Sequence, residues 1–150
     1  MVQRILVPLD GSDTAQLGLA EAIALAKPLK ASLVLMTVVD DAWLVEIATL
    51  SNTETLRSEA RRFAEELLAQ AKASTALHDL QVSTILREVI GARPSEAIVE
   101  VARAERCDLI VMGTHGRKGI GRLVLGSEAT AVVQASPVPV MLVRIARPPA

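Results

Sequence analysis

One stretch of the sequence decides the fold: DLIVMGTHGRKGIGRLVLGS, residues 108–127. It begins with a short run of branched aliphatic residues, which has the length and composition of a buried strand. A glycine-rich loop follows directly, and Gly126-Ser127 has the form of a helix start. The order of strand, loop and helix is the repeating unit of a parallel α/β sheet.

Further runs of the same kind recur along the chain and are separated by Ala-rich stretches of helical period. They are RILVPLD (4–10), SLVLMTVVD (32–40) and PVMLVR (139–144). A weaker run, VSTILREVI (82–90), alternates apolar and polar residues and predicts a more exposed strand. The sequence therefore predicts an α/β fold, with a five-stranded parallel sheet and helices on both faces. At 150 residues, one domain over 1–150 is expected.

The helices can be placed between these strands. Ser12 and Asp13 are candidates for the N-cap of the first helix, which is expected to end near Lys27 and Pro28. The third opens around Pro94, a residue suited to an early helical position, with Ile98, Val101 and Ala102 facing inward. The last begins at Ser127 and runs to about Ala135.

The second helix shows an apolar stripe at helical spacing, which predicts that these side chains are buried: Leu56, Ala60, Phe63, Leu67 and Ala71. Residues 42–53 show no period. This segment carries Trp43 and is interpreted as a loop or short helix.

Composition excludes several classes of partner. The formal net charge is −1, from 16 basic and 17 acidic side chains, so no field would gather nucleic acid or an anionic membrane. No apolar run approaches the roughly 18 residues of a membrane span, and the start MVQRILVPLD lacks the architecture of a signal peptide. The single cysteine, Cys107, indicates a reducing compartment and is interpreted as an inert buried thiol. We therefore expect a cytoplasmic protein.

The loop after residue 112 has the composition of an anion site. Glycines at 113, 116, 119 and 121 let backbone N–H groups approach an anion without a Cβ in the way. The helix start at Ser127 adds unpaired N–H donors and the positive end of its dipole. Arg117, Lys118 and Arg122 lie in a stretch, 109–127, without an acidic residue. Two simpler interpretations remain, a flexible glycine turn and a solvated basic face.

The spacing of these glycines is specific. The Walker pattern is absent, and GxGxxG does not follow the first strand. Instead two residues separate Gly113 from Gly116, and nine separate Gly116 from Gly126-Ser127. With Pro8-Leu9-Asp10 ending the first strand and SPVPVMLVR closing the chain, the sequence resembles the universal stress protein family, in its ATP-binding branch. The expected architecture is a Rossmann-like, adenine nucleotide alpha hydrolase-like fold with strand order 3-2-1-4-5.

The resemblance implies a site for ATP, ADP or AMP with Mg²⁺. Backbone amides of the glycines, with His115 and the Ser127 hydroxyl, would hold phosphates and ribose. Asp10 would lie near the ribose and an Mg²⁺ ion, and the backbone of Val38 would meet the adenine. The full implied set is Pro8, Leu9, Asp10, Val38, Met112, Gly113, Thr114, His115, Gly116, Gly126, Ser127 and Glu128. Parallel α/β sheets place ligands at this same edge, where the strand order reverses.

Some assignments stay open. Asp10 could instead cap the first helix, and the two roles are compatible. His115 could be a catalytic base, but the sequence places no Ser, Cys or carboxylate to work with it, which favours a contact with phosphate or ribose. One departure from the family concerns Gly91-Ala92-Arg93-Pro94, which has one residue more than the usual Gly-x-Pro. That loop is expected to border the adenine pocket.

Three functions fit these observations. The first is a regulatory ATP-binding protein of the bacterial stress response, with little or no turnover. The second is a slow ATPase or a phosphoryl or adenylyl transferase, because the crevice could bring Asp10, Mg²⁺ and His115 together. The third is a dimeric interaction module with a vestigial pocket, which the glycines argue against. The apolar closing strand, Val138 to Val143, would be a sheet edge, and the resemblance implies a homodimer formed there.

Overall fold

The computed structural model describes residues 1–40, 53–115 and 125–145. Strands and helices alternate along these segments, as the sequence predicts. In chain order they are β1 (Arg4–Pro8), α1 (Asp13–Leu29), β2 (Ser32–Val39), α2 (Thr53–Ala76), β3 (Val82–Glu88), α3 (Pro94–Ala104), β4 (Leu109–Gly113), α4 (Ser127–Ala135) and β5 (Val140–Val143). The region of Trp43 lies outside the described residues.

The five strands form one parallel sheet in the order β3-β2-β1-β4-β5, which confirms the expected order. In the centre of the sheet, Leu6 of β1 is opposite Val34 of β2 on one side and Ile110 of β4 on the other. The chain runs outward from β1 to β2 and β3, then crosses to β4 and β5. The strand order therefore reverses between β1 and β4, which places a crevice at their carboxyl ends.

Helices cover both faces of the sheet, because alternate strand residues point to opposite sides. On one face Ile5, Leu33 and Leu35 pack with Leu19 of α1 and Leu67 of α2. On the other face Leu6, Val34, Met36 and Ile110 pack with Val101 of α3 and Val132 of α4. The central strands are buried on both sides, which explains why they are continuous apolar runs in the sequence.

The boundaries of α1 follow from its end residues. Ser12 is the N-cap, and its Oγ accepts the N–H of Ala15 at 3.2 Å. The helix continues through Pro28, which the sequence placed at its end, and stops at Leu29. Lys30 then adopts a left-handed conformation, φ 54°, and its N–H returns to the last turn of the helix.

The prediction that Phe63 is buried is wrong. Phe63 of α2 is 49% exposed, and the buried positions of this helix instead pass from Ala60 to Ala64 and on to Leu67 and Leu68. Alanine at 60 and 64 lets α2 lie close to the sheet. Phe63 lies at the edge of this stripe, where its ring faces the turn at Gly11: a Cβ at Gly11 would be 3.7 Å from the ring.

The single cysteine behaves as expected. Cys107 is 4% exposed, and burial raises the pKa of its thiol to about 11. Its burial is confirmed, and because such a thiol carries almost no thiolate at neutral pH, we expect it to be unreactive. Over the described part of the chain, no helix has both the length and the apolar character needed to span a bilayer.

Candidate functional site

The carboxyl end of β1 makes a tight turn into α1. The N–H of Leu9 donates to the carbonyl of Met36 at 2.7 Å, while the Leu9 side chain is buried in the core. Asp10 follows, and its Oδ1 accepts the N–H of Ser12 at 2.9 Å. Gly11 has φ +84°, a conformation that favours glycine. Asp10 therefore shapes the turn, while Ser12 caps the helix.

Gly113, at the end of β4, lies directly against α1. A Cβ at this position would be 2.6 Å from Thr14 Oγ1 and 2.8 Å from both the Cβ and the backbone carbon of Thr14. No larger residue fits between the strand and the helix. Gly113 is thus required for packing, independently of any anion that its backbone contacts.

The first residues of the glycine loop are fixed by hydrogen bonds to α1 and β5. The hydroxyl of Thr14 donates to the carbonyl oxygen of His115, and Ser12 Oγ lies 3.5 Å from the same oxygen. The N–H of Thr114 donates to Val143 at 2.9 Å. Sequence reasoning missed Thr14. Its only signal was a second hydroxyl residue two positions after the N-cap.

The ring of His115 is oriented by its neighbour. Its Nδ1 lies 3.1 Å from Thr114 Oγ1, and the His115 side chain is half-buried. This contact fixes the ring plane beside the end of β4. The arrangement suits a positioned polar side chain at the edge of an anion site.

The two ends of the loop are joined to each other. The N–H of Gly126 donates to the carbonyl of Thr114 at 2.8 Å, and a Cβ on Gly126 would be only 2.7 Å from that oxygen. Glycine is therefore needed at this close approach. As a result, the N-terminus of α4 lies next to the end of β4.

The first turn of α4 has no side-chain cap from Gly126, its N-cap residue. Thr130 donates both its N–H and its hydroxyl to the Gly126 carbonyl, each at 3.0 Å. Ser127 is exposed. The N–H groups of this turn carry the positive end of the helix dipole and are suited to bind an anion.

The side chain of Glu128 contacts the start of α3. Its Oε2 accepts the N–H of Ser95 in α3 at 2.8 Å, and its Oε1 accepts from Arg93 Nη2 at 3.1 Å. Arg93 Nη2 also lies 3.3 Å from the Ser127 carbonyl. The loop that was expected to border an adenine pocket thus contacts the start of α4. Sequence reasoning did not assign a role to Arg93.

The remaining predicted residues fall into three groups. Val38 lies near the end of β2, beside β1, and its half-buried side chain packs toward α3 and α4. Pro8 ends β1, and the side chain of Met112, near the end of β4, is buried in the core. Six predicted residues lie outside the described ranges: Gly116, Arg117, Lys118, Gly119, Gly121 and Arg122.

Comparison with known proteins gives the family of this chain. A model of the universal stress protein family matches residues 1–144. The chain belongs to this family. A universal stress protein of Thermus aquaticus, encoded in the QAH/OAS sulfhydrylase 3' region, is 37% identical, with 96% of this chain and 100% of that protein covered. Universal stress protein MJ0577 of Methanocaldococcus jannaschii is 30% identical, with 96% of each chain covered.

Solved structures of the family have the same fold. The structure of MJ0577 superposes with a TM-score of 0.84 at 26% identity, covering 99% of both chains. A universal stress protein in complex with cAMP superposes with a TM-score of 0.64 at 26% identity, covering 95% of this chain and 97% of the other. At least one family member of this shape therefore binds an adenine nucleotide.

Proposed function

We propose that this universal stress protein binds ATP with Mg²⁺ and acts as a regulatory nucleotide-binding protein of the cytoplasmic stress response, with little or no turnover. One observation carries the proposal: the bond from Gly126 to Thr114 holds the start of α4 at the carboxyl end of β4. This is the point where the strand order reverses. The cAMP complex of a relative supports an adenine nucleotide as the ligand.

The phosphates would bind the backbone N–H groups at the start of α4, from Ser127 and Glu128, together with the segment from Gly113 to Gly116. Gly113 and Gly126 let the backbone pack closely against Thr14 and Thr114, which brings the two ends of the loop together at one edge of the sheet. His115, held by Thr114, would contact phosphate or ribose. These groups provide binding contacts and orientation, which is what a regulatory site requires.

The base and the ribose would lie over the ends of β1 and β2. The backbone of Val38 would meet the adenine, beside Pro8 and Leu9. Asp10 fits an Mg²⁺ ion carried by the nucleotide, because Mg²⁺ in phosphate sites takes only one or two carboxylates from the protein. One oxygen of Asp10 accepts the Ser12 N–H, which fixes the carboxylate at the end of β1.

Calorimetry with ATP and Mg²⁺ on ligand-free protein tests the proposal. The wild-type protein should bind, and Gly126→Ala should bind more weakly because its methyl group separates the start of α4 from Thr114. Gly18→Ala is the matched control, since it adds the same methyl group within α1 at ordinary contact distances of 3.5 Å. Absence of wild-type binding at millimolar ATP would contradict the proposal.

A separate incubation with labelled ATP examines turnover. We expect the wild-type protein to form no more product than Gly126→Ala over a long incubation. Steady release of ADP or AMP by the wild-type protein alone would replace the regulatory proposal with the enzymatic one. Analysis of the small molecule released on denaturing freshly purified protein would show which adenine nucleotide is bound.

We also propose a homodimer through the edge formed by residues 138–143. Strand β5 pairs with β4 on one side, and Met141 is 36% exposed. Val133 of α4 and Ile145 are also exposed apolar residues, at 46% and 58%. Light scattering at micromolar concentration should give the dimer mass, and Met141→Lys should shift it toward the monomer. A monomer mass for the wild-type protein would refute the dimer.

A further inference from the structure

Arg93 connects the loop before α3 to the first turn of α4. It is the N-cap residue of α3, where its side chain makes no cap hydrogen bond. The guanidinium instead extends to α4, with Nη2 3.1 Å and Nε 3.3 Å from Glu128 Oε1. Nη2 is also 3.3 Å from the carbonyl of Ser127. A positive charge is thereby fixed beside the helix start that would bind the phosphates.

Glu128 gives this position its electrostatic consequence. It is the second residue of α4 and the acidic residue of that first turn. A free carboxylate there would accept N–H groups of its own helix and would repel a phosphate at the same groups. Here the carboxylate is turned to α3, where its Oε2 caps the helix at the N–H of Ser95. Arg93 neutralises its charge.

We infer that Arg93 is a positioning residue for phosphate binding, because it neutralises Glu128 and keeps that carboxylate away from the N-terminus of α4. The inference rests on the proposed nucleotide site and names the residue that controls its phosphate end. Without Arg93, the negative charge of Glu128 opposes the bound phosphates. Arg93 belongs to the Gly91-Ala92-Arg93-Pro94 loop, which has one residue more than the usual Gly-x-Pro.

A simple mechanical connection between α3 and α4 is the competing explanation. The two explanations predict different effects of a second substitution, at Glu128. If Arg93 acts by neutralising Glu128, then removing the charge of Glu128 as well restores phosphate binding. If the pair only holds two helices together, the second substitution leaves binding as weak as the first or makes it weaker.

The experiment measures ATP affinity by calorimetry for the wild type, Arg93→Ala, Glu128→Gln and the double variant. Glutamine keeps an oxygen that can accept the Ser95 N–H. Arg93→Ala should weaken ATP binding about tenfold, the size expected for one unit charge acting over several ångströms near a protein surface. The double variant should recover to within about threefold of the wild type. Urea denaturation confirms that each variant is folded.

Arg61→Ala is the matched control. Arg61 pairs with Glu88 through Nε and Oε1 at 2.5 Å, between α2 and the edge strand β3. Its substitution changes the net charge by the same amount and should leave ATP affinity unchanged. Unchanged affinity in Arg93→Ala, no recovery in the double variant, or an equal loss in Arg61→Ala would overturn the inference. Failure of the wild type to bind ATP would instead remove the proposed function itself.

Discussion

Replacing Gly126 with alanine tests how the loop is closed. The new Cβ would be 2.7 Å from the carbonyl oxygen of Thr114, well inside the 3.4 Å at which ordinary contact begins. The same oxygen accepts the Gly126 N–H at 2.8 Å, so relieving the clash weakens that hydrogen bond. Overpacking of this kind costs about 1–3 kcal/mol, and a lost hydrogen bond about 1 kcal/mol.

The backbone conformation of Gly126 adds nothing to this cost. Its φ of −59° and ψ of 151° are open to any residue, so alanine also gains about 0.4–1 kcal/mol by restricting the unfolded chain. The net expectation is a loss of about 1–3 kcal/mol in the free energy of unfolding. Gly18→Ala should instead gain up to about 1 kcal/mol, because it lies within α1 and meets its neighbours at 3.5 Å.

Urea denaturation followed by circular dichroism compares the three proteins. The two alanine variants should shift the midpoint in opposite directions without a change in slope. If Gly126→Ala were as stable as the wild type, the contact with Thr114 would not close the loop. If Gly18→Ala were equally destabilised, the loss of stability would be caused by any methyl group added near β4 and would not be specific to the contact with Thr114.

Three further outcomes follow from single side chains. Ser12→Ala should lose about 1 kcal/mol of unfolding free energy in urea, since it removes the N-cap of α1. Phe63→Ala should cost less than the roughly 3–5 kcal/mol of a buried Phe, because the ring is 49% exposed; a larger loss would contradict its placement. Burial raises the Cys107 pKa from 9.0 to about 11, so the unfolded thiol ionises first. The free energy of unfolding should therefore fall by about 2–3 kcal/mol as the pH rises from 9.0 towards 11. Cys107→Ala, measured over the same pH range, is the control that lacks this contribution.

The order of the elements and the core strands could be predicted from the sequence, because they depend on local composition. Buried parallel strands are runs of branched aliphatic residues, and β1, β2 and β4 are such runs. Helix starts are also local: Ser12 caps α1, and Pro94 opens α3. The order of the strands came from the family resemblance and from the rule for doubly wound sheets, and the structure confirms it.

The position of Phe63 could not be predicted from periodicity alone. A helix has 3.6 residues per turn, so a stripe through Ala60 and Leu67 can pass through either 63 or 64. The choice depends on how close α2 lies to the sheet. Alanine at 60 and 64 allows a close approach, and the larger ring then lies outside the contact.

The hydrogen-bond partners of the candidate site residues could not be predicted either, because they are far apart in the sequence. Thr14 meets His115 across 101 positions of sequence, and Arg93 meets Glu128 across 35. No local pattern encodes such pairs. Sequence could indicate which segments border the proposed site, because strand ends and glycines mark them. It could not indicate which charged groups neutralise each other there.

The glycines of the loop therefore have two roles that a motif cannot separate. Gly113 is required by the approach of Thr14, and Gly126 by the approach of Thr114, whether or not a nucleotide binds. Substituting either one changes the packing and the proposed anion site together. Arg93 and Glu128 are half-exposed charges, and we expect their substitution to leave that packing intact. Their double-mutant cycle thus reports on phosphate binding itself, and it separates a working nucleotide site from a loop that is glycine-rich only for packing.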